Sequence, residues 1–368
     1  MSLSPDTVAI DYLPAVTHAP GVGRYARELV RAVVRRHDAP PLVLCEIGAT
    51  PRAVPEEALG LEACEPGRVR RVQRRIPQRA LDLGHKLVRL GVDDLCGRPK
   101  VFHRARPWLP PIRKAAIVLP LAELPAPDTA AERALAARAR EAAAVIAFSE
   151  DYAQRAVQRL GVDPGRVHRT PVGAEHWVRD LGGPAGSTRP RIVVLGAMRR
   201  ARRPLAALAG FEHLIASGVD AELVWVGRGD DAASAFQVAW SASPARERIS
   251  WVDHPLEQDM PSTVGEAAVL LHLADDEGTA VTPLEACALG TAVAAERLPA
   301  FEEVLPPDTQ WIERDPSPES IVTALAAALG LGLDPERRAT RARDAERHTW
   351  DACAAATIPV WRAVAGAC

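Results

Sequence analysis

AAVLLHLADDEGTAVTPLEACALGTAVAAE, residues 267–296, holds a short apolar run, a polar loop, a helix-like segment and a second apolar run. Apolar runs of this length bounded by turn residues read as buried strands, and a helix between two of them makes a β-α-β unit of parallel sheet. Thr282-Pro283-Leu284-Glu285 has the form of a capping box, with Thr at N-cap, Pro at N1 and Glu at N3, so a helix is expected from about Pro283. Ahead of it, the loop Asp276-Glu277-Gly278-Thr279-Ala280 offers backbone N–H groups beside the positive end of a helix dipole, a setting suited to phosphate. Two carboxylates, Glu277 and Glu285, frame that loop. An acid beside a phosphate site suits sugar hydroxyls; the other readings are that Glu285 only completes the cap and that Glu277 is a solvated loop acid.

The same alternation extends outward in both directions. TVAIDYL, PLVLCEI, KAAIVLPLA and AAVIAFS alternate with GRYARELVRAVVRR, AERALAARAREA and EDYAQRAVQRLG. It pauses at LGGPAGSTRPR near residue 180, which reads as a linker, and resumes with RIVVLGA, AELVWVG, RISWVD and the stretch above. Two α/β halves follow, each a doubly wound parallel sheet, with a cleft expected between them. The last segment, TWDACAAATIPVWRAVAG, sets Ala354, Ile358, Trp361 and Val364 at helical spacing.

Length and composition agree with two domains: 368 residues, about half of them apolar, and a net charge of −2. Nearly every cation is Arg, the lysines being Lys86, Lys100 and Lys114, and the balance argues against a nucleic-acid partner. Six cysteines, Cys45, Cys64, Cys96, Cys287, Cys353 and Cys368, show no C-x-x-C pair or metal-ligand spacing, so a reduced cytosolic compartment and no metal site are expected. No signal-like or membrane-spanning run occurs, which predicts a soluble protein, or one at most peripheral on the inner face of a membrane.

Two further elements concern anions. After RIVVLG the chain turns at Gly196 into AMRRARRPLAALAGF, placing Arg199, Arg200, Arg202 and Arg203 between a strand end and a helix, where no more than two are expected on a ligand. PGVGRYARELVRAV, residues 20–33, spells the Gly21-x-Gly23-x-x-Ala26 fingerprint of dinucleotide binding, with Glu46 near the distance of a ribose-binding acid. Seven residues, Pro14 to Pro20, separate that fingerprint from its strand, which disfavours a nicotinamide or flavin oxidoreductase.

Taken together, these motifs resemble glycosyltransferase family 4, retaining nucleotide-sugar enzymes of the GT-B fold. EGTAVTPLEACALGTAV is similar to the family's E-G-F-G-L-P-x-L-E-A-x-A-x-G-x-P-V, RIVVLGAMRRARRPLAALAGF to its G-R-x-x-x-x-K-N segment, and VIAFSEDYAQRAVQRLGVDPGRVHRTPVGAE to its V-S…L-x-V…I-x-V-I-P-N-G-V-D segment. The resemblance implies two Rossmann-like domains facing a central cleft. Residues 1–180 would form the acceptor-side domain, with a C-terminal helix over 346–368 packing back on it, and 188–345 the nucleotide-sugar domain. It implies that Glu277 contacts the donor sugar and Glu285 the ribose, that Gly278, Thr279 and Ala280 hold the distal phosphate, and that Arg202 or Arg203 replaces the family lysine. Gly21, Gly23, Gly196 and Arg199 complete the implied donor contacts. The implied reaction is metal-independent, cofactor-free hexosyl transfer from GDP-mannose or UDP-glucose to a glycan, lipid-linked or small-molecule acceptor in polysaccharide or glycolipid synthesis.

Departures from the pattern are Ala197, where the family places an arginine, and Leu119-Pro120, where it places a histidine; His103 at another strand end is the substitute to examine. These departures keep open a second reading, a sugar-nucleotide-binding subunit or regulator without transfer activity. Residues 66–90 carry Arg68, Arg70, Arg71, Arg74, Arg75, Arg79, Lys86 and Arg89 against the single acid Asp82. That segment reads either as a face for anionic lipid or as a solvated basic face.

Overall fold

In a computed structural model, the chain divides into two units, residues 1–172 with 350–368, and residues 173–349. The structure describes residues 6–17, 21–48, 59–61, 64–107, 111–177 and 189–367; of the expected linker LGGPAGSTRPR, residues 181–188 lie outside them and Arg191 begins a strand.

The first unit runs β1 (Val8–Asp11), α1 (Leu13–Val16), α2 (Val22–Val34), β2 (Leu42–Gly48), β3 (Val69–Arg75), α3 (Gln78–Val88), α4 (Val92–Leu95), β4 (Val101–His103), β5 (Ala116–Leu121), α5 (Ala130–Glu141), β6 (Ala144–Ala147), α6 (Glu150–Gln158) and β7 (Val167–Arg169). The second runs β8 (Arg191–Leu195), α7 (Pro204–Ala216), β9 (Glu222–Val226), α8 (Ala233–Ala242), β10 (Ile249–Val252), α9 (Met260–Gly265), β11 (Val269–His272), α10 (Val281–Ala288), β12 (Ala292–Glu296), α11 (Pro299–Glu302), β13 (Gln310–Ile312), α12 (Pro318–Leu333) and α13 (Pro335–Ala345). The closing helix α14 (Trp350–Gly366) belongs to the first unit.

Every described strand pairing is parallel. The first sheet has the order β3-β2-β1-β4-β5-β6-β7 and the second β10-β9-β8-β11-β12-β13, so both reverse direction of growth between their first and fourth strands, the Rossmann arrangement. Strands buried on both faces explain the unbroken apolar runs: Val8–Asp11, Ala144–Ala147, Val269–His272 and Ala292–Glu296 are buried at every position. The second core gathers Phe211 and Leu214 from α7, Trp225 from β9, Phe236 from α8 and Leu325 from α12.

Three local readings of the sequence change. Residues 173–177, grouped there with the N-terminal half, lie in the second unit, where the Ala174 amide donates to the His348 carbonyl at 3.1 Å. The basic stretch 66–90 contains β3 and α3, with three of its arginines bonded inside the unit, Arg68 to the Arg36 and Ala39 carbonyls, Arg70 to that of Cys96 and Arg71 to Glu46, while Arg74, Arg75, Arg79, Lys86 and Arg89 are exposed. Cys45 and Cys96, 51 residues apart, form a disulfide between β2 and the turn after α4, a pairing that spacing gave no sign of.

The fingerprint glycines serve helix geometry. Gly21, in the left-handed region at φ 66°, is the N-cap of α2, and Gly23 is buried in its first turn. Glu46, the supposed ribose acid, is fully buried and accepts two bonds from Arg71, at 2.7 and 3.0 Å, and one from Gln73 at 2.7 Å. An acid saturated in this way is not offered to a dinucleotide.

Candidate functional site

The second sheet reverses between β8 and β11, and ligands of doubly wound sheets bind beyond the carboxyl ends of the strands at such a point. Beyond β8 lies the arginine turn, and beyond β11 the loop that carries Glu277. A backbone bond from the Asp275 amide to the Ala201 carbonyl, 3.0 Å, joins the two.

The turn leaves β8 at Gly196, whose amide stays in the sheet, donating to the Val226 carbonyl at 2.9 Å. Its carbonyl accepts the Trp225 indole N–H at 3.0 Å. Gly227, at the end of β9 with φ 152°, crosses so close to that carbonyl that a Cβ there would overlap it. The chain then makes a single 3-10 turn over Arg200–Arg202, with Arg199 at its N-cap, half-buried, and Arg203 in the left-handed region at φ 48° ahead of Pro204.

That kink sends the two adjacent arginines to different partners. Arg202 meets Glu277, Nη2 to Oε2 at 2.8 Å, and donates through Nη1 to His272 Nε2 at 2.6 Å. Arg203 instead ties down the fully buried Glu296, Nε to Oε2 at 3.1 Å, and reaches Asp275 at 2.9 Å. The two arginines left as alternatives by the sequence are thus parted by the backbone: Arg202 joins Glu277 and His272, and Arg203 ties the loop at Asp275 to β12.

Glu277 is buried, with Thr279 Oγ1 donating to its Oε1 at 3.4 Å and His272 Nε2 at 3.1 Å from Oε2. Burial alone would raise its pKa; the Arg202 charge outweighs this and holds the carboxyl well below the usual range, so it is ionised. His272 is pushed down from its ordinary value, first by burial and then by the Arg202 charge, and is neutral.

Helix α10 begins two residues earlier than the capping-box reading, at Val281, with Ala280 as N-cap and no side-chain cap. Ala280 sits at φ 51°, the left-handed conformation that usually calls for glycine, and Pro283 falls inside the first turn, where the missing N–H costs nothing. Among the described residues, the amides of Gly278, Thr279, Ala280, Val281 and Thr282, in the loop and first turn at the N-terminus of α10, make no hydrogen bond to the protein. Glu285, freed from capping, is fully buried, its Oε1 at 2.9 Å from His176 Nε2.

The cluster therefore joins a cation, an ionised carboxylate and a row of unspent amides at a helix N-terminus. Such a set can hold an anionic phosphate while a carboxylate accepts from hydroxyl groups. Sequence reasoning missed His272 and His176, since neither falls in a motif and only the tertiary fold sets them against the two glutamates.

His103, the first-unit candidate, is not a site residue in this structure. It ends β4 in the core, where Trp361 of α14 donates its indole N–H to Nδ1 at 3.1 Å, leaving Nε2, 3.3 Å from the Tyr25 hydroxyl, to carry the proton. Burial pulls its pKa down to about 3, so the ring is neutral and serves to dock α14. Leu119, in β5, is fully buried as well. At the first sheet's own point of reversal, Asp11 holds Arg106 by two bonds of 2.6 and 2.7 Å to the guanidinium and one of 3.0 Å to its amide.

Comparison with solved structures agrees with this fold. The chain superposes over nearly its whole length on sucrose-phosphate synthase from Thermosynechococcus elongatus (TM-score 0.70, 15% identity, covering 98% of this chain and 99% of that one) and on Anabaena HepE in complex with UDP and glucose (0.69, 12%, 98% and 98%). It is also similar to WaaG, a glycosyltransferase involved in lipopolysaccharide biosynthesis (0.64, 15%, 97% and 98%). The fold is GT-B, two Rossmann-like α/β domains. Residues 189–330, most of the second unit and all of the described cluster except His176, match the family model for glycosyl transferases group 1. No curated protein sequence matches at a significant level. Among the described residues, no helix is long and apolar enough to cross a membrane.

Proposed function

We propose that the protein is a retaining glycosyltransferase that moves a hexose from a nucleoside diphosphate sugar to a glycan, lipid-linked or small-molecule acceptor. The observation that carries this reading is the Arg202–Glu277 ion pair at 2.8 Å beside the unspent amides of residues 278–282. In it, the amides of Gly278, Thr279 and Ala280 and the Arg202 charge receive the donor's diphosphate, with Arg199 and the Gly196 turn alongside. Glu277 exchanges Arg202 for hydroxyls of the donor sugar, and Glu285 takes the ribose. The departing phosphate accepts the acceptor's proton, so the residues have to stabilise and position, and none has to act as a nucleophile. Arg202 supplies the positive charge for a metal-independent reaction, and GDP-mannose or UDP-glucose is the proposed donor. Thermal-shift screening of both sugars, followed by donor turnover in Glu277→Gln and Arg202→Ala, tests this; turnover unchanged in both variants would refute the assigned roles.

A sugar-nucleotide-binding subunit without transfer is the second reading. It is favoured by Leu119, buried in β5 where the resembled family places a histidine, and by the burial of His103 at the end of β4. Calorimetric binding of a donor with neither hydrolysis nor transfer over a broad acceptor panel decides for it.

A peripheral contact with anionic lipid through 66–90 belongs to the same proposal, in the cytoplasm at the inner face of a membrane. With Arg68, Arg70 and Arg71 spent internally, what supports it is α3 and the end of β3. Leu83, Leu87 and Val88 are exposed there among the exposed Arg74, Arg79 and Lys86. Co-sedimentation with phosphatidylglycerol vesicles that falls with salt and is lost in Leu83→Asp/Leu87→Asp is the expected result, and salt-independent sedimentation refutes it.

A further inference from the structure

We infer that His272 is a positioning residue for Arg202: a neutral acceptor that aims the guanidinium without cancelling its charge. The role assigned to Arg202 rests on the proposed function; the geometry of the pair does not. A guanidinium has donors only, so the 2.6 Å contact between Arg202 Nη1 and His272 Nε2 requires Nε2 to accept, with the ring proton on Nδ1. The opposite tautomer would set two N–H groups against each other at that distance. The 3.1 Å separation of Nε2 from Glu277 Oε2 is then the third side of a triangle that Arg202 closes, one arm on each partner.

The two anchors differ in rigidity and charge. His272 is the last residue of β11, in register with Ala295 of β12, fully buried, and its ring lies 5.5 Å from that of Phe301. Arg202 ends a one-turn 3-10 helix and carries a long side chain that loses much rotamer freedom when it is ordered. By holding Nη1, the imidazole orders that side chain before any ligand arrives. An incoming phosphate can displace Glu277 from Nη2 while Nη1 stays in place. A carboxylate at 272 would hold the fork equally well but neutralise it, whereas the neutral ring leaves the full charge to the anion. The groups facing His272 are Arg202 from the 3-10 turn, Glu277 from the loop and Glu285 from α10.

The test has two arms, both on the full chain. Long-range 1H–15N correlation of histidine imidazoles, with His272 assigned by its absence in His272→Gln, should show the Nδ1-protonated neutral ring; a proton on Nε2 overturns the inference. Calorimetry with UDP and with GDP should find His272→Gln, which retains an acceptor, within about threefold of the unsubstituted protein, and His272→Leu and His272→Asp weaker by about tenfold. In an Arg202→Lys background, where the ammonium has no second planar arm, His272→Leu should change affinity by less than about twofold. Equal losses from His272→Leu in both backgrounds would mean that His272 does not act through Arg202. Failure of the unsubstituted protein to bind either nucleotide would remove the nucleotide-sugar reading, and the tautomer would still decide the inference.

Discussion

Arg202→Ala strips a buried carboxylate of its cation, and the structure sets the size of the loss. The Glu277 side chain is 7% exposed and that of Arg202 14%, so water replaces little of what is removed. Breaking such a pair typically costs about 3–5 kcal/mol. His272, 3.1 Å from Oε2, can move its proton to Nε2 and donate to the carboxylate, recovering part of that, so the expected loss is about 2–3 kcal/mol at pH 7. With the charge removed as well, in Arg202→Ala/Glu277→Gln, the loss should fall to about 1 kcal/mol. Urea unfolding followed by tryptophan fluorescence measures both. Because Glu277 is held below its ordinary value of 4.5, the pair's contribution is fully present above that pH and is lost progressively as the pH falls below it. Arg202→Ala should flatten the acid limb of the stability profile. A variant within about 0.5 kcal/mol of the unsubstituted protein, or an equal cost of Arg202→Ala with Glu277 and with Gln at 277, would refute the reasoning.

Other consequences concern the frame around the site. His103 is neutral when folded, with its pKa lowered from 6.5 to about 3, and charges below 6.5 when unfolded, so stability drops as pH falls from 6.5 towards 3. Linkage sets this at about 1.4 kcal/mol per unit, or about 2 kcal/mol by pH 5, and His103→Gln should abolish that part of the slope in pH-dependent unfolding. Trp361→Phe removes the indole donor to His103 Nδ1 and should cost about 1–2 kcal/mol in urea unfolding while leaving UDP and GDP affinity unchanged. Gly227→Ala forces a Cβ onto the Gly196 carbonyl at a φ that side chains avoid and should lose at least about 3 kcal/mol; Gly218→Ala, at φ 93° in open space, should lose about 1 kcal/mol. Thermal unfolding of the pair separates the clash from the conformational cost.

The alternation of buried strands with helices, the two-sheet architecture, and the loop at 276–280 leading into a helix were all legible in the sequence. These are consequences of periodicity and of turn chemistry within some ten residues, and no distant contact alters them. Where a distant contact competes, the sequence misleads. Val69–Arg75 is arginine-rich and reads only as a basic face, yet it pairs along its length with β2, which sets Arg71 on Glu46 and leaves Arg74 and Arg75 exposed. Thr282 and Glu285 have the letters of a capping box, yet the left-handed Ala280 starts the helix early and burial turns Glu285 towards His176.

Only the tertiary structure could separate Arg202 from Arg203. The two are chemically identical and adjacent, and the left-handed backbone at Arg203 throws their side chains towards different acids. Likewise only the fold makes His103 a core residue and brings His272 to the arginine fork, since burial and tautomer are set by neighbours 70 or more positions away in the chain.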